Sequence, residues 1–265
     1  MKLIRLIWVN LKRAVFSKRF VFAVLLVVLF EYLDVFSYLR ENIENIKMGY
    51  SPMYTIVDLM QLSGTTMFWG LSFSVSLLPY SGIFVEDDKN NFLTYVTLKT
   101  NSVLYSIATV TVCAVSAFLC VVFGKIIFFI IISSVSDLCN QRTLEAYAEA
   151  YESLSKGNYL LYIAGNIVLC GARGAFFALL AMLVSTIVKN RMVIYATPVL
   201  FYFFMIKVGY YNLHLPRYLD VGIIYIFYIF GNTHEIFSIL YAIMFAMCFG
   251  AVTACVLNKK IKSLW

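Results

Sequence analysis

The residues that could do chemistry are few, and they do not form a catalytic pattern. The two histidines are His214 and His234. Glu235 follows His234, but no second histidine comes three residues after Glu235, so a zinc-binding His-Glu-x-x-His helix is absent. No Gly-x-Ser-x-Gly turn or phosphate-binding Gly-x-x-x-x-Gly-Lys-Ser/Thr loop occurs either. We therefore predict no catalytic residue, no metal site, no cofactor and no enzymatic activity in this chain.

The cysteines predict packing instead of disulfide or metal chemistry. Only Cys139 lies in a polar segment, and the spacing of the six cysteines fits neither a zinc site nor a redox motif. The other five lie inside apolar runs, where a thiol behaves as a small hydrophobic group: Cys113, Cys120, Cys170, Cys248 and Cys255.

Four of the ionisable residues within or beside long apolar segments are candidate site residues, because a charge there is costly and usually faces a cavity or a partner. Glu31 and Asp34 share one helical face. They could line a path for a cationic peptide or form a buried ion pair with Arg173. Alternatively, their helix reaches the hydrated outer interface near Glu31. Asp58 is the other predicted partner for Arg173.

The composition places these residues in a membrane protein. Of the 265 residues, 62% are hydrophobic and 13% are charged, whereas charged residues make up about a quarter of a soluble chain. The net charge of +7 is first a signal of membrane topology, because basic residues collect on the cytoplasmic side. We predict a lipid bilayer as partner and no nucleic acid.

The fold class predicted is an all-α integral membrane protein with six transmembrane helices, an N-terminal amphipathic elbow helix and a re-entrant helix before the last span. Residues 1–19 form the elbow helix, with apolar and basic residues on opposite faces; an inward extension of the first span is the alternative. The single transmembrane domain, 1–265, has spans at 20–38, 54–84, 103–133, 159–188, 192–209 and 236–257.

The segment 221–231 decides the topology. It is strongly apolar, but its eleven residues rise only about 16 Å, too little to cross a bilayer. We therefore predict that it is re-entrant and that both termini are cytoplasmic. This places thirteen basic residues inside, five outside and three within spans, as the positive-inside rule requires. A seventh span here would move the basic C-terminal tail outside.

The segment 86–102, EDDKNNFLTYVTLKTNS, lies between the second and third spans. Phe92, Val96 and Lys99 share one face of a short helix, with Tyr95 adjacent, so an aromatic and aliphatic anchor could enter a groove on a partner. The acidic residues 86–88 would favour the N-terminal end of that helix. The alternative is an ordinary solvated loop.

The order of these elements resembles the permease subunit of ABC exporters of the type-2 class, over nearly the whole chain. The segment after span two is the most specific part. Glu86 matches the family's acidic position, and Phe92, Leu93 and Val96 match its short helix. The residues that match its Thr/Ser-rich restart are Thr100, Asn101, Ser102 and Tyr105. Asn90 and Asn91 stand where a glycine is usual, which leaves the docking contacts open.

The resemblance implies that the segment 86–102 is the cytoplasmic coupling helix, which docks on a separate ABC ATPase subunit that binds ATP and Mg²⁺. It also implies a dimer with a second permease copy, identical or similar, through spans one, two and five. The coupling residues that it implies are Glu86, Phe92, Leu93, Tyr95, Val96 and Lys99.

The resemblance further implies export of a hydrophobic or amphipathic substrate across a bacterial plasma membrane. The class includes immunity exporters that remove antimicrobial peptides from the membrane. Two other functions stay open from the residues alone: an ATP-independent channel or secondary transporter, and a non-transporting assembly or sensor subunit.

Overall fold

The computed structural model describes residues 2–63, 69–90, 92–147, 151–204 and 235–263. Within these ranges every regular element is a helix, and the elements in chain order are α1 (Lys2–Val15), α2 (Lys18–Lys47), α3 (Ile56–Leu62), α4 (Trp69–Val75), α5 (Ile83–Lys89), α6 (Phe92–Lys99), α7 (Ser102–Ile132), α8 (Gln141–Tyr147), α9 (Glu152–Ser155), α10 (Tyr159–Ser185), α11 (Arg191–Phe204) and α12 (Glu235–Lys262). The predicted re-entrant segment 221–231 lies outside the described residues.

Four of these helices, α2, α7, α10 and α12, are long and apolar enough to cross a membrane. Each has 27 to 31 residues, more than the roughly 20 that a span needs. An all-helical, multi-pass membrane protein is therefore confirmed, while the count of six spans is not.

The predicted span 54–84 is not one continuous helix in the described residues, which give α3, α4 and α5. A capping box begins α3: the Thr55 side chain accepts from the Asp58 backbone N–H, and Asp58 accepts from the Thr55 N–H. Turns separate α4 from α5, where Pro79 has no N–H to donate. The Ser76 hydroxyl donates to the Phe73 carbonyl at 2.6 Å, a local bond that competes with regular helix pairing.

The first two helices meet at Ser17, whose hydroxyl accepts from the Phe20 N–H at 3.1 Å and so caps α2. From there α2 continues to Lys47, through residues that we predicted as a polar loop. The predicted loop was wrong because hydropathy marks where the membrane ends, while a helix can extend beyond it. α1 packs along α7, and its location at a membrane surface stays a prediction.

The predicted span 192–209 corresponds in part to α11, which has 14 residues and contains Pro198. Residues 205–209 lie outside the described part of the chain. Fourteen residues rise about 21 Å, which is less than the bilayer core of about 30 Å. α11 packs against α4 and α10.

The core is built around α10, which packs against α7, α11 and α12. In its most apolar stretch 78% of the residues are buried, against 17% in α12. Gly174 lets α10 approach α7 closely, because a Cβ atom there would lie 2.6 Å from a methyl group of Val121. α10 is therefore the interior helix, and α12 keeps most of its surface for lipid or a partner.

The long helices give the bundle two distinct ends. At the α6 end, Arg19 of α2 and Tyr105 of α7 contact the α5 carboxylates. At the opposite end, called the α8 end, the Asn42 amide of α2 donates to Ser136, just after α7, at 2.9 Å. α12 runs parallel to α10, since Phe176 packs on Phe245 and, one turn later, Leu179 lies next to Gly250. The C terminus of α12 therefore points to the α6 end.

Candidate functional site

A short surface helix, α6, forms the first candidate site. Thr100 ends it by donating its hydroxyl to the Val96 carbonyl at 2.7 Å. The Asn101 side chain then accepts from the Val103 N–H at 3.2 Å and caps α7. α6 packs on α5 and α7, so it is a separate helix held between two turns, as the pattern of the segment 86–102 predicts.

The faces of α6 differ from the predicted ones. Leu93 and Val96 are 4% and 8% exposed, while Phe92 and Tyr95 are 40% and 54% exposed. Val96 was predicted on the same outward face as Phe92, but it packs into the bundle with Leu93. Lys99 is the last residue of α6, and its side chain lies outside the described part of the structure. The outward-facing group is therefore an aromatic pair, Phe92 and Tyr95, one helical turn apart.

The three acidic residues Glu86, Asp87 and Asp88 lie on α5 and are called the acidic cluster. Two arginines contact Glu86: Arg19 at 2.7 Å, from the start of α2, and Arg191 at 3.2 Å, from the start of α11. Asp88 pairs with Lys189 at 2.8 Å, in the turn between α10 and α11. The acidic cluster thus connects α5 to elements distant in sequence.

Asp87 is the buried member of the acidic cluster, with 3% of its surface exposed. The Tyr105 hydroxyl donates to it at 2.8 Å, and a guanidinium nitrogen of Arg13 lies at 3.5 Å. Burial raises the pKa of Asp87 even though Tyr105 and Arg13 act to lower it. The Arg13 guanidinium also lies 5.9 Å from the centre of the Phe92 ring. Arg13 therefore joins α1 to both α5 and α6.

The acidic cluster differs in position from the prediction. Its carboxylates belong to a separate helix before α6 and do not cap the N terminus of α6. Sequence alone identified the acidic position but not its partners, because Arg19 and Lys189 lie 67 and 101 residues from the carboxylates that they contact. The positive-inside rule did predict that these basic residues lie on the same side of the membrane as the acidic cluster.

A buried ion pair in the middle of the bundle forms the second candidate site. The Lys125 ammonium donates to Glu31 at 2.7 Å and to the Ser63 hydroxyl at 2.8 Å. The side chains of Lys125 and Glu31 are 0% and 1% exposed. Glu31 stands twelve residues after Arg19 and eleven before Asn42, so the pair is roughly midway between the two ends.

Two more predicted residues are buried in the same part of the bundle. Asp34 and Arg173 are 7% and 2% exposed, and the Arg173 guanidinium lies 5.1 Å from the centre of the Phe73 ring. The hydroxyl of Tyr202 is within electrostatic range of both Arg173 and Asp34. The hydrated-interface interpretation of Glu31 and Asp34 was therefore wrong, because both carboxylates are in the protein interior.

The predicted contact between Asp58 and Arg173 was wrong. Asp58 lies at the α8 end, where its carboxylate accepts from the Thr55 N–H and hydroxyl at 2.9 Å and 2.8 Å and from the Thr143 hydroxyl at 2.8 Å. Sequence analysis did not identify Lys125 as the partner of Glu31. Lys125 stands in a uniformly apolar run, where the residue pattern does not show which side chains face the protein interior.

Comparison of the chain with protein-family models, with curated proteins and with solved structures found no match.

Proposed function

We propose that this chain is the membrane-spanning permease subunit of an ATP-driven exporter of the type-2 ABC class, with ATP and Mg²⁺ bound by a separate cytoplasmic subunit. The observation that carries the proposal is the outward-facing pair of Phe92 and Tyr95 on α6. Exposed aromatic residues at one end of a bundle are typical anchors for a partner's groove. Below them, Leu93 and Val96 are buried against the bundle.

The contacts around α6 support a mechanism in which the partner ATPase moves α6. α6 packs on α5, so a force on α6 is passed to α5. From α5 it reaches α7 through Asp87 and Tyr105 and reaches α1 and α2 through Arg13 and Arg19. The pairs of Asp88 with Lys189 and of Glu86 with Arg191 extend the connection to α11. Closure of two ATPases would therefore shift several spans together, which is what alternating access requires.

The charge distribution supports a cytoplasmic location for the α6 end. Exposed basic residues at this end include Lys12, Arg13 and Lys18, and the basic last turn of α12 points the same way. In this orientation both termini are on the cytoplasmic side of a bacterial plasma membrane. Exposed apolar residues of α2, among them Phe22 and Leu25, offer a face for a second permease copy.

An apolar groove supports a hydrophobic or amphipathic substrate, such as an antimicrobial peptide. The groove has a volume of about 550 Å³ and lies between α7, α10 and α12. The described residues of its walls include no charged one and many small ones, among them Ala114, Ala172, Ala246 and Gly250. A pocket of this size and polarity is suited to an apolar group and excludes a charged one.

The proposal is tested by co-expressing the chain with an ABC ATPase encoded beside its gene and purifying the complex in detergent. The double variant Phe92→Asp and Tyr95→Asp would bury two charges in the docking groove of the ATPase, so we expect the ATPase to be lost from the complex. Tyr50→Asp is the matched control, because Tyr50 is 69% exposed at the α8 end. A double variant that keeps the ATPase and its activity contradicts the role of α6.

A second candidate function is an ATP-independent, ion-coupled transporter. The buried pair of Glu31 and Lys125 favours it, since ionisable residues at mid-membrane depth mark ion and proton paths in secondary transporters. Transport by the purified chain alone in liposomes, driven by a pH gradient and abolished by Glu31→Gln, would support this function. Transport that requires the ATPase would support the exporter.

A further inference from the structure

A small cavity at the α8 end is not used by either proposed function. Its volume is about 200 Å³, which corresponds to roughly six or seven waters in the liquid. It is lined by residues of α2, α3, α8 and the segment between α2 and α3, among them Tyr38, Tyr54, Asp58, Arg142, Thr143 and Tyr147.

Hydrogen bonds hold the walls of this cavity in place. The Asn42 amide donates to the Tyr54 carbonyl at 2.7 Å and accepts from the Tyr54 N–H at 2.9 Å. The Thr143 hydroxyl bonds to Asp58 and Asn140, each at 2.8 Å. Because α3 and α8 are joined through these side chains, the cavity is formed before any ligand binds.

Asp58 supplies a negative charge that no cation in the described part of the chain pairs with. Its Oδ2 atom accepts all three of its hydrogen bonds, two from Thr55 and one from Thr143. The described residues give Oδ1 no donor. The carboxylate is thus fixed in position while half of its accepting capacity is unused.

Aromatic rings line the same cavity as this carboxylate. Tyr38 and Tyr54 pack edge to face with centroids 4.9 Å apart, and Tyr147 forms another wall. Burial, together with the charge of Asp58, raises the pKa of Tyr147, so its ring stays neutral at physiological pH. A carboxylate among neutral aromatic rings is the arrangement that binds alkylammonium groups, through charge attraction and cation–π contact.

Arg142 brings an opposite charge to the same cavity. It lines the cavity, its side chain is exposed, and it forms no ion pair with a described residue. A guanidinium suits a phosphate, which it can contact through two N–H groups. A ligand with an ammonium at one end and a phosphate at the other would satisfy Asp58 and Arg142 together.

We propose that this cavity binds a zwitterionic ammonium–phosphate group, with the ammonium among Tyr38, Tyr54 and Tyr147 against Asp58 and the phosphate on Arg142. Phosphocholine and phosphoethanolamine have this chemistry, either as lipid headgroups or as free solutes. The proposal does not depend on the ATPase, because the cavity and α6 are at opposite ends of the bundle.

The first experiment titrates the full chain, in an uncharged maltoside detergent, with phosphocholine and separately with choline. Binding is measured as the rise in the thermal unfolding midpoint. Asp58→Asn should weaken both ligands by about tenfold, as loss of a charge-assisted contact does. Arg142→Gln should weaken phosphocholine but strengthen choline, because it removes a phosphate partner and a like charge. A merely structural role for Arg142 would not change the two affinities in opposite directions.

Matched controls separate local from general charge effects. Glu44→Gln and Arg40→Gln remove an exposed acidic and an exposed basic residue from the same region of α2, and neither should change either affinity by more than about twofold. Tyr147→Phe keeps the ring and should preserve choline binding, whereas Tyr147→Leu should weaken it. If Asp58→Asn lowers the unfolding midpoint without ligand, the opposite responses to Arg142→Gln still decide the question.

The second experiment distinguishes the two sources of the group. Free phosphocholine is titrated into the protein in nanodiscs of phosphatidylglycerol and of phosphatidylcholine. A response that occurs only in the phosphatidylglycerol nanodiscs means that a lipid headgroup occupies the cavity in the phosphatidylcholine nanodiscs. An equal response in both means that the cavity takes a free solute. No saturable response in detergent or phosphatidylglycerol, or equal affinities for wild type, Asp58→Asn and Arg142→Gln, would overturn the proposal.

Discussion

Charged side chains in this protein differ most in whether they are buried. Lys125 and Glu31 are almost fully enclosed, whereas the ion pair of Arg40 and Glu44 on α2 has both side chains at least half exposed. An enclosed ion pair adds little net stability over an apolar pair of the same volume, but a single enclosed charge is very unfavourable. The two pairs should therefore respond differently to the loss of one partner.

Lys125→Met should lower the free energy of unfolding by about 3–5 kcal/mol, because it leaves the Glu31 carboxylate buried without its cation. Adding Glu31→Leu to Lys125→Met should recover most of this loss. Chemical denaturation in mixed detergent micelles measures both. Arg40→Gln is the control and should cost about 0–1 kcal/mol. A double variant no more stable than Lys125→Met alone would show that the pair does not act as a unit.

The buried carboxylate of Asp87 predicts a pH dependence. Burial raises its folded-state pKa above the unfolded value, so the folded state binds the proton more tightly. The contribution of Asp87 to stability is then largest at low pH and falls as the pH rises from about 4 through the folded-state pKa. The free energy of unfolding of wild type relative to Asp87→Asn should decrease over this interval. A relative stability that increases with pH would contradict the burial effect.

The predictions from the sequence agree best with the structure at the level of whole helices. The apolar runs predicted α2, α7, α10 and α12, and the pattern from Phe92 onward predicted a short helix at α6. The extent of α2 and the turns between α4 and α5 were not predictable, because capping and serine hydroxyl bonds act locally while hydropathy averages over a span. The partners of Glu31 and Asp88 were not predictable either, since only packing of distant helices brings them together.

The contact between α7 and α10 gives a prediction for helix packing. Gly174→Ala would place a methyl group 2.6 Å from Val121, so we expect it to lower the free energy of unfolding by about 1–3 kcal/mol through overpacking. Gly250→Ala is the matched control on α12, where the nearest atom, in Leu179, would be 3.4 Å away. The end of the flexible Leu179 side chain can shift to relieve that contact. Alanine also favours a helix by about 0.5–1 kcal/mol over glycine, so the net effect on the free energy of unfolding should be small. Equal losses in both variants would contradict close packing at Gly174.

The whole molecule has two chemically different ends. One carries α6, the acidic cluster and most of the basic residues that the structure describes, and the other carries the amide and hydroxyl network of Asn42, Thr55 and Thr143. Since α7 has 31 residues, it separates these ends by about 46 Å, more than the thickness of a bilayer with its headgroups. Each end should therefore face a different aqueous compartment.

This arrangement predicts the accessibility of cysteines introduced one at a time into a cysteine-free background. Tyr50→Cys, at the α8 end, should react with a membrane-impermeant maleimide in intact cells. Tyr95→Cys and Ser263→Cys should react only after the membrane is permeabilised, because the positive-inside rule predicts that the α6 end and the end of α12 are cytoplasmic. Reaction of Ser263→Cys in intact cells, with Tyr95→Cys protected, would contradict the parallel packing of α12 on α10, which places both residues at the α6 end. Protection of Tyr50→Cys with reaction of Tyr95→Cys would instead show that the orientation is inverted. A cytoplasmic ATPase could then not reach α6.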